Sequence, residues 1–288
     1  YTFFATAGAI ARVGARPVFV DVDPVYLHLD PSAVAEVITA RTRAVMPVHL
    51  FGRCAELGPI LALARRHDLA VVEDAAQALG ARLGGVPAGT KGTFGCLSFF
   101  PTKTLGALGD AGLLVTDDDE LAERARTLRV HGARPKYHHA LVGANLRMDA
   151  LQAAFLSVKL PHLEAVIALR REVAERYGKR LAASGYGVPA ERPGERATYN
   201  PYVVRVPGAG RRDALRAFLT GRGIGSEVYY PVPLHLQPCF SHLGGKAGAF
   251  PVGEAAARET LALPCFPGLS EREVDAVTAA LLAFAEEG

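Results

Sequence analysis

Apolar residues in the first half of the chain follow two alternating patterns. Continuous apolar runs, typical of buried strands, cover residues 17–22, 44–50, 69–72, 96–100 and 113–116. Between them, apolar residues recur every three or four positions, which predicts helices at 2–13, from Asp30 onward, at 55–67 and at 117–131. Thr2 is assigned as the N-cap of the first helix. Strands that alternate with helices predict an α/β fold with a mostly parallel sheet covered on both faces.

The pattern changes after Met148. Long helices are predicted at 148–158 and 161–184, followed by a Pro/Gly-rich link at 185–198, a strand at 202–206, a helix at 212–222, a short strand at 226–229, and helices near 253–261 and 270–286. We therefore expect a large domain over residues 1–160, and a linking helix with a smaller C-terminal α/β domain over residues 161–288. Because the sequence starts at Tyr1 without a methionine, we expect an N-terminal truncation of the large domain.

Composition excludes several classes of protein. The 288 residues are 50% hydrophobic and 21% charged, and the formal net charge of +3 includes no basic block of the kind that binds nucleic acid. The four cysteines are dispersed and form no CxxC or Cys/His spacing, which predicts reduced thiols in a cytoplasmic protein and no metal site. No apolar run is judged long enough to span a membrane.

Polar residues cluster where predicted strands end, at His49, Asp74, Ser98 and Lys103. In parallel sheets, ligands bind beyond these carboxyl ends. Asp74 follows a buried apolar run, where a carboxylate is costly unless it is paired. One use for it is to hold a proton on a heterocyclic nitrogen, as in pyridoxal phosphate enzymes, and the alternative is an ordinary helix N-cap.

Lys103 lies in a glycine-rich loop, within residues 95–112, directly after a predicted strand. An aldehyde cofactor requires a lysine amine for its Schiff base, and its phosphate requires donors such as the hydroxyl of Ser98. Taken alone, Lys103 would be interpreted as an ordinary surface lysine in a turn. Together with Asp74 it predicts a site for pyridoxal 5′-phosphate, since neither a dinucleotide fingerprint in the right context nor a P-loop motif is present.

Six segments, in order along the chain, carry a specific family resemblance. They are PVHLFG (47–52), EDAAQALGA (73–81), SFFPTKTLGALGDAG (98–112), KYHHALVG (136–143), NLRMDALQAA (145–154) and PLHLQPCF (233–240). They resemble the DegT/DnrJ/EryC1/StrS family of pyridoxal-phosphate-dependent sugar aminotransferases, which have fold type I. The resemblance covers essentially the whole chain, and it implies that several dozen family residues precede the position of Tyr1.

The resemblance implies a role for each residue that matches the family pattern. Lys103 would be the catalytic residue and would form the internal aldimine with the cofactor. Asp74 would pair with the pyridinium nitrogen, Gln77 would bind near the phenolic oxygen, and Ser98 would bind the phosphate. Members of the family that dehydrate sugars carry histidine at the lysine position, so Lys103 favours transamination.

Two further cofactor contacts are implied. Phe3 would place its ring against the pyridine face, although a core helix residue is the alternative interpretation. Asn145 would reach the cofactor phosphate of a neighbouring subunit, so the active sites would be shared in a homodimer. An N-cap of the helix near Met148 is the alternative for Asn145.

Four residues are candidates for binding the substrate. His138 and His139 lie in a polar loop that borders the nucleotide-sugar pocket in the family, and solvated loop residues are the alternative. His235 could lie near the sugar or be a structural turn histidine. Tyr230 could line the pocket or belong to a half-buried strand end.

The resemblance thus implies a ping-pong aminotransferase. An amino acid, with L-glutamate expected, would donate its amino group to a nucleotide-linked keto sugar used for polysaccharide or antibiotic synthesis. Two alternatives remain open at this point. One is a non-catalytic regulatory member that binds the cofactor or a sugar nucleotide, and the other is an aminotransferase of a cyclitol ketone.

Overall fold

The computed structural model describes residues 1–286. The helices are α1 (Phe4–Arg12), α2 (Pro31–Val37), α3 (Leu57–Arg66), α4 (Asp119–Arg129), α5 (Ala150–Lys159), α6 (Leu163–Leu181), α7 (Arg211–Thr220), α8 (Pro251–Glu259) and α9 (Glu271–Glu286). The strands are β1 (Ala44–Val45), β2 (Ala70–Asp74), β3 (Arg82–Leu83), β4 (Val86–Pro87), β5 (Phe94–Ser98), β6 (Gly112–Val115), β7 (Glu195–Arg196), β8 (Tyr202–Arg205) and β9 (Thr260–Leu263). Short 3₁₀ turns lie at Leu50–Gly52, Leu160–His162, Leu234–Leu236 and Pro238–Leu243.

The central sheet has the strand order β1-β2-β5-β6. β1, β2 and β5 are parallel, whereas β6 returns antiparallel to β5 because the loop between them, residues 99–111, contains no crossover helix. In the register, Asp74 on β2 lies opposite Cys96, and Ser98 on β5 lies opposite Gly112. The predicted α/β class is confirmed, and the parallel pairing sets the ends of β2 and β5 side by side.

Two hydrophobic cores support this arrangement. Helices α2 and α3 pack on the sheet through residues such as Val34, Ile60 and Val71. A larger core lies in the C-terminal half, where α6, α7 and α9 pack on the antiparallel pair β8 and β9. The predicted domain boundary near residue 160 stays a prediction.

The segment 17–22 is not the predicted strand. It makes only an isolated bridge, from Val22 to Leu29. Instead, the Asp21 carboxylate accepts hydrogen bonds from the N–H groups of Val252 (2.9 Å) and Gly253 (2.8 Å), in the first turn of α8. A carboxylate at a helix N-terminus is favourable, and this contact draws the segment away from the sheet.

Other predicted boundaries also change. Helix α1 begins at Phe4, and the Thr2 side chain does not cap it, since its hydroxyl lies 3.3 Å from that of Thr6. The prediction of a strand at 226–229 is wrong, because the segment forms one bridge at Glu227. Strand β9 occupies the end of the predicted helix 253–261. The helix predicted to open at Asp30 is confirmed as α2, and Asp30 is its N-cap, with its carboxylate accepting from the Ser32 N–H at 2.8 Å.

One helical segment, Ala150–Leu181, is long and apolar enough to cross a membrane by length and composition, contrary to the expectation from the sequence. It contains α5, a turn with Pro161, and α6. A core helix of a soluble protein meets the same criterion but is mostly buried, whereas only 11% of the apolar window in this segment is buried. Its α6 half places Val173, Tyr177 and Leu181 in the C-terminal core.

The carboxylate of Glu73, which is fully buried, ties several loops to β2. It accepts hydrogen bonds from the N–H groups of Gly89 (2.8 Å), Lys91 (2.6 Å) and Gly92 (2.5 Å). His49 accepts from the Ala55 N–H through Nδ1 and donates from Nε2 to Glu73 at 2.8 Å. Burial raises the pKa of Glu73, but the hydrogen bonds from His49 and the loop outweigh it and lower this pKa below its usual value.

We expect Glu73→Ala to lower the free energy of unfolding by about 4 kcal/mol, because it leaves several buried donors without an acceptor. Urea unfolding measures the change. The matched control is Glu56→Ala, an exposed acid whose loss should cost less than about 0.5 kcal/mol. Equal effects of the two substitutions would contradict a structural role for Glu73.

Candidate active site

Asp74 is the last residue of β2, and both oxygens of its carboxylate accept hydrogen bonds. Oδ2 accepts from the Thr6 hydroxyl at 2.7 Å, and Oδ1 accepts from the Ala76 N–H at 3.1 Å. A turn rather than a helix follows β2. The interpretation of Asp74 as a helix N-cap is therefore wrong, and its carboxylate is held in a fixed orientation at the end of the strand.

Lys103 lies in the loop that leaves β5, where its N–H donates to the Phe100 carbonyl at 2.8 Å. Its side chain is half-buried. Burial lowers the pKa of the Lys103 amine, and the negative charge of Asp74 partly opposes this by raising it. Lys103 is thus a partly desolvated amine in the electrostatic field of Asp74, and not a fully solvated surface lysine.

The loop that carries Lys103 is anchored from distant parts of the chain. The amide Nδ2 of Asn200 donates to the Thr104 hydroxyl at 3.0 Å, and Lys159 Nζ donates to the Gly106 carbonyl at 2.6 Å. A Cβ atom at Gly106 would lie 2.2 Å from a backbone oxygen, so the turn requires glycine there. These contacts hold the lysine in one position.

Ser98 ends β5, one strand across from Asp74. Its side chain is half-buried, and Oγ accepts a hydrogen bond from the Phe100 N–H at 3.3 Å. The hydroxyl proton remains available for a ligand, because in that bond the oxygen acts as the acceptor. The predicted contact to a phosphate stays a prediction.

Gln77, Tyr230 and Phe3 form one cluster. The Gln77 side chain accepts from the Phe51 N–H at 2.7 Å and donates to the Tyr230 hydroxyl at 3.0 Å. The ring of Phe3 lies 5.6 Å from that of Tyr230 and is 54% exposed, so the interpretation of Phe3 as a core residue is wrong. Burial raises the pKa of Tyr230, which therefore remains a neutral hydroxyl.

Two residues of this site were missed in the sequence. Thr6 binds Asp74, as described above, and Tyr1 anchors Tyr230. The Tyr1 hydroxyl accepts from the Tyr230 N–H at 2.8 Å and lies 2.7 Å from Thr260 Oγ1. No local signal marks either residue, because both contacts join segments far apart in the sequence.

His138, His139 and Asn145 lie on an exposed loop that is stabilised by its own hydrogen bonds. The Nδ1 of His139 donates to the His131 carbonyl at 2.9 Å. The N-cap position of α5 is Asp149, so the interpretation of Asn145 as a cap is wrong. The predicted contacts of these three residues to substrate or to a second subunit stay predictions.

His235 is buried, and its contacts are structural. Its Nε2 lies 3.0 Å from Glu254 on α8, and its ring packs edge-on against Phe250 at 4.7 Å. These contacts match the structural alternative for this histidine, and the predicted contact to the sugar stays untested. Among residues 1–286, no cluster of three potential metal ligands occurs.

The arrangement was compared with known proteins. The model of the DegT/DnrJ/EryC1/StrS aminotransferase family matches residues 1–282. This chain belongs to that family. The aminotransferase is 51% identical over 277 residues to a "Pleiotropic regulatory protein" of Geobacillus stearothermophilus, which covers 95% of this chain and 73% of the relative.

Two further comparisons concern enzymes. The aminotransferase is 42% identical over 274 residues to the UDP-N-acetyl-3-dehydro-alpha-D-glucosamine 3-aminotransferase of Acidithiobacillus ferrooxidans, covering 95% of this chain and 73% of that enzyme. The crystal structure of S. venezuelae DesV in complex with a ketimine intermediate superimposes with a TM-score of 0.95 at 41% identity, covering 99% of this chain and 76% of that one. The predicted family, fold type and enzyme class, a sugar aminotransferase, are confirmed.

We expect acylation of Lys103 in the cofactor-free protein to have a midpoint pH below the ordinary lysine pKa of about 10.4, because burial disfavours the ammonium. Asp74→Asn should lower this midpoint further, since it removes the charge that raises the pKa. Competitive labelling with mass spectrometry measures it, with Asp110→Asn, an exposed acid of the same loop, as control. A midpoint that rises in Asp74→Asn would contradict the assigned geometry.

Proposed function

We propose that this aminotransferase uses pyridoxal 5′-phosphate to transfer an amino group from an amino acid, L-glutamate, to a nucleotide-linked keto sugar. The observation that carries the proposal is the half-buried Lys103 amine in the field of Asp74, at neighbouring strand ends. The sugar class is supported by the Acidithiobacillus ferrooxidans relative, whose name describes a UDP-linked 3-dehydro sugar, which is a keto sugar.

The residues present fit this cofactor. Lys103 supplies an amine for its aldehyde, Asp74 a carboxylate for its ring nitrogen, and Ser98 a free hydroxyl proton for its phosphate. The exposed ring of Phe3 is available to pack on the pyridine face. When bound, the cofactor supplies an electron sink for negative charge at the Cα of the amino acid.

The chain itself supplies the proton transfer. With the amino acid and the cofactor bound, the Lys103 amine would remove the Cα proton of the amino acid and would deliver it to the C4′ carbon of the cofactor. A lowered pKa increases the fraction of the neutral amine at a given pH, which is the form that accepts a proton. Asp74 would hold the proton on the ring nitrogen, and the same residues would act in reverse on the keto sugar.

A regulatory function is the second candidate. The 51% identical relative from Geobacillus stearothermophilus is named a regulatory protein, which favours this alternative. The presence of both Lys103 and Asp74 argues against a regulator that binds only a sugar nucleotide, because such a protein requires neither an amine nor a carboxylate at these strand ends. Turnover by the purified protein distinguishes the two candidates.

A homodimer is part of the proposal. Large apolar side chains are exposed near the loop before α5 and on α5 itself: Val142, Leu146, Leu151 and Val158. Several large apolar side chains exposed in one stretch of the chain are typical of an interaction surface, and a second copy of the chain would cover them. The same contact would bring Asn145 to the site of the partner, as the family resemblance implies.

Lys103→Ala should reduce amino transfer from ¹⁵N-labelled glutamate to a nucleotide keto sugar by at least about 10³-fold, because it removes the amine that is proposed to move the proton. Mass spectrometry of the sugar product measures the transfer. The control is Lys246→Ala, an exposed lysine of the C-terminal half, which should retain the parental rate. Parental turnover by Lys103→Ala would refute the assignment, and a wild-type protein that transfers no amino group to any keto sugar of a panel would favour the regulatory alternative.

Leu151→Glu should weaken the dimer at least about tenfold, because it buries a charge in an apolar interface. Sedimentation equilibrium measures the dissociation constant. The control is Val25→Glu. Val25 has a similar exposure but lies outside the proposed interface, next to Pro24, whose carbonyl accepts a hydrogen bond from Arg205. A monomeric wild type, or an unchanged constant in Leu151→Glu, would rule out this interface.

A further inference from the structure

The hydroxyl of Thr6 is the one side-chain group within residues 1–286 that hydrogen-bonds to Asp74. Thr6 lies on α1 and is 8% exposed, and its Oγ1 is 2.7 Å from Asp74 Oδ2. We infer that Thr6 is a positioning residue, which orients the Asp74 carboxylate toward the ring nitrogen of the cofactor. This inference rests on the proposed function, since it assumes that Asp74 binds that nitrogen.

The direction of this hydrogen bond follows from chemistry. A carboxylate only accepts, so the Thr6 hydroxyl donates its proton to Asp74. The Thr6 oxygen is then free to accept from the Thr2 hydroxyl, which is buried and 3.3 Å away. The three side chains form a chain of donors that ends on the carboxylate, and hydrogen bonds arranged in this way polarise one another.

The hydrogen bond from Thr6 restricts the rotation of the Asp74 carboxylate. An aspartate carboxylate turns about its Cβ–Cγ bond, and this torsion is broad when nothing holds it. In Asp74 the Ala76 N–H holds Oδ1 and the Thr6 hydroxyl holds Oδ2, so the plane of the carboxylate is fixed by one donor at each oxygen. Each oxygen keeps a further lone pair for the N–H of the ring.

The Ala76 donor is a backbone N–H, whereas the Thr6 donor is a side-chain hydroxyl that a conservative substitution removes. Thr6 is therefore the residue that tests the proposal. Thr6→Val keeps the shape of the side chain and removes the hydroxyl. The carboxylate then loses its donor on Oδ2 and rotates more freely, which weakens its hold on the ring nitrogen. A hydroxyl that only fastened α1 to the sheet would affect stability and leave the protonation of that nitrogen unchanged.

The experiment measures two properties of the full-length protein, prepared free of cofactor. One is the dissociation constant of pyridoxal phosphate from an absorbance titration. The other is the ¹⁵N chemical shift of ring-labelled cofactor, which reports directly whether its nitrogen carries a proton. Thr6→Val should raise the dissociation constant about tenfold and move the ¹⁵N signal toward the unprotonated form, because a hydrogen bond to a charged group is lost. Thr6→Ser should restore both values.

The control is Thr278→Val. Thr278 is also buried, but its hydroxyl bonds to the Val274 carbonyl within α9. It therefore tests the same chemical change away from the site and should leave both readouts unchanged. If Thr6→Val does not fold, Thr6→Ala takes its place with the same expected shifts.

The outcomes separate the two hypotheses. A wild type that fails to bind the cofactor refutes the proposed function. Two results together would overturn the role of Thr6 alone. They are a wild type that binds the cofactor with a protonated ring nitrogen, and a Thr6→Val protein with the same dissociation constant and the same ¹⁵N shift. Equal changes of the dissociation constant and of the ¹⁵N shift in Thr6→Val and Thr278→Val would show a general loss of stability. That result would also overturn the role of Thr6.

Discussion

The site depends on a single buried carboxylate that takes no part in its chemistry. Glu73 and Asp74 are adjacent on β2, and adjacent strand residues point to opposite faces of a sheet. Glu73 points into the protein and binds His49 and the loop at 89–92, which leads into β5. By fixing the start of β5 against β2, this carboxylate also fixes where the strand ends and where its lysine loop begins.

The reactive residues of the site could be predicted from the sequence. Acidic and basic residues that follow apolar runs mark the ends of parallel strands, and the structure brings Asp74 and the Lys103 loop to neighbouring strands there. The Thr6 hydroxyl was not accessible in the same way. It reaches Asp74 only because α1 packs across the end of β2, and a contact between residues 68 positions apart leaves no local pattern.

The incorrect fold predictions have the same physical origin. Residues 17–22 have the composition of a strand, but Asp21 binds the N-terminus of α8, about 230 residues away in the sequence. Strand β9 is buried on every residue, so its apolar run lacks the alternation that distinguishes a strand from the end of a helix. In both places a tertiary contact determined the structure, and the local preference did not.

The hydroxyl of Tyr1 has a consequence for how the two halves of the chain are held together beside the site. It joins the segment that leads into α1 to Tyr230 and Thr260 in the C-terminal half. A movement that separated the two halves would break these bonds together with the link from Gln77 to Tyr230. The segment that leads into α1 is therefore held against the C-terminal half beside the site by hydrogen bonds from side chains of both.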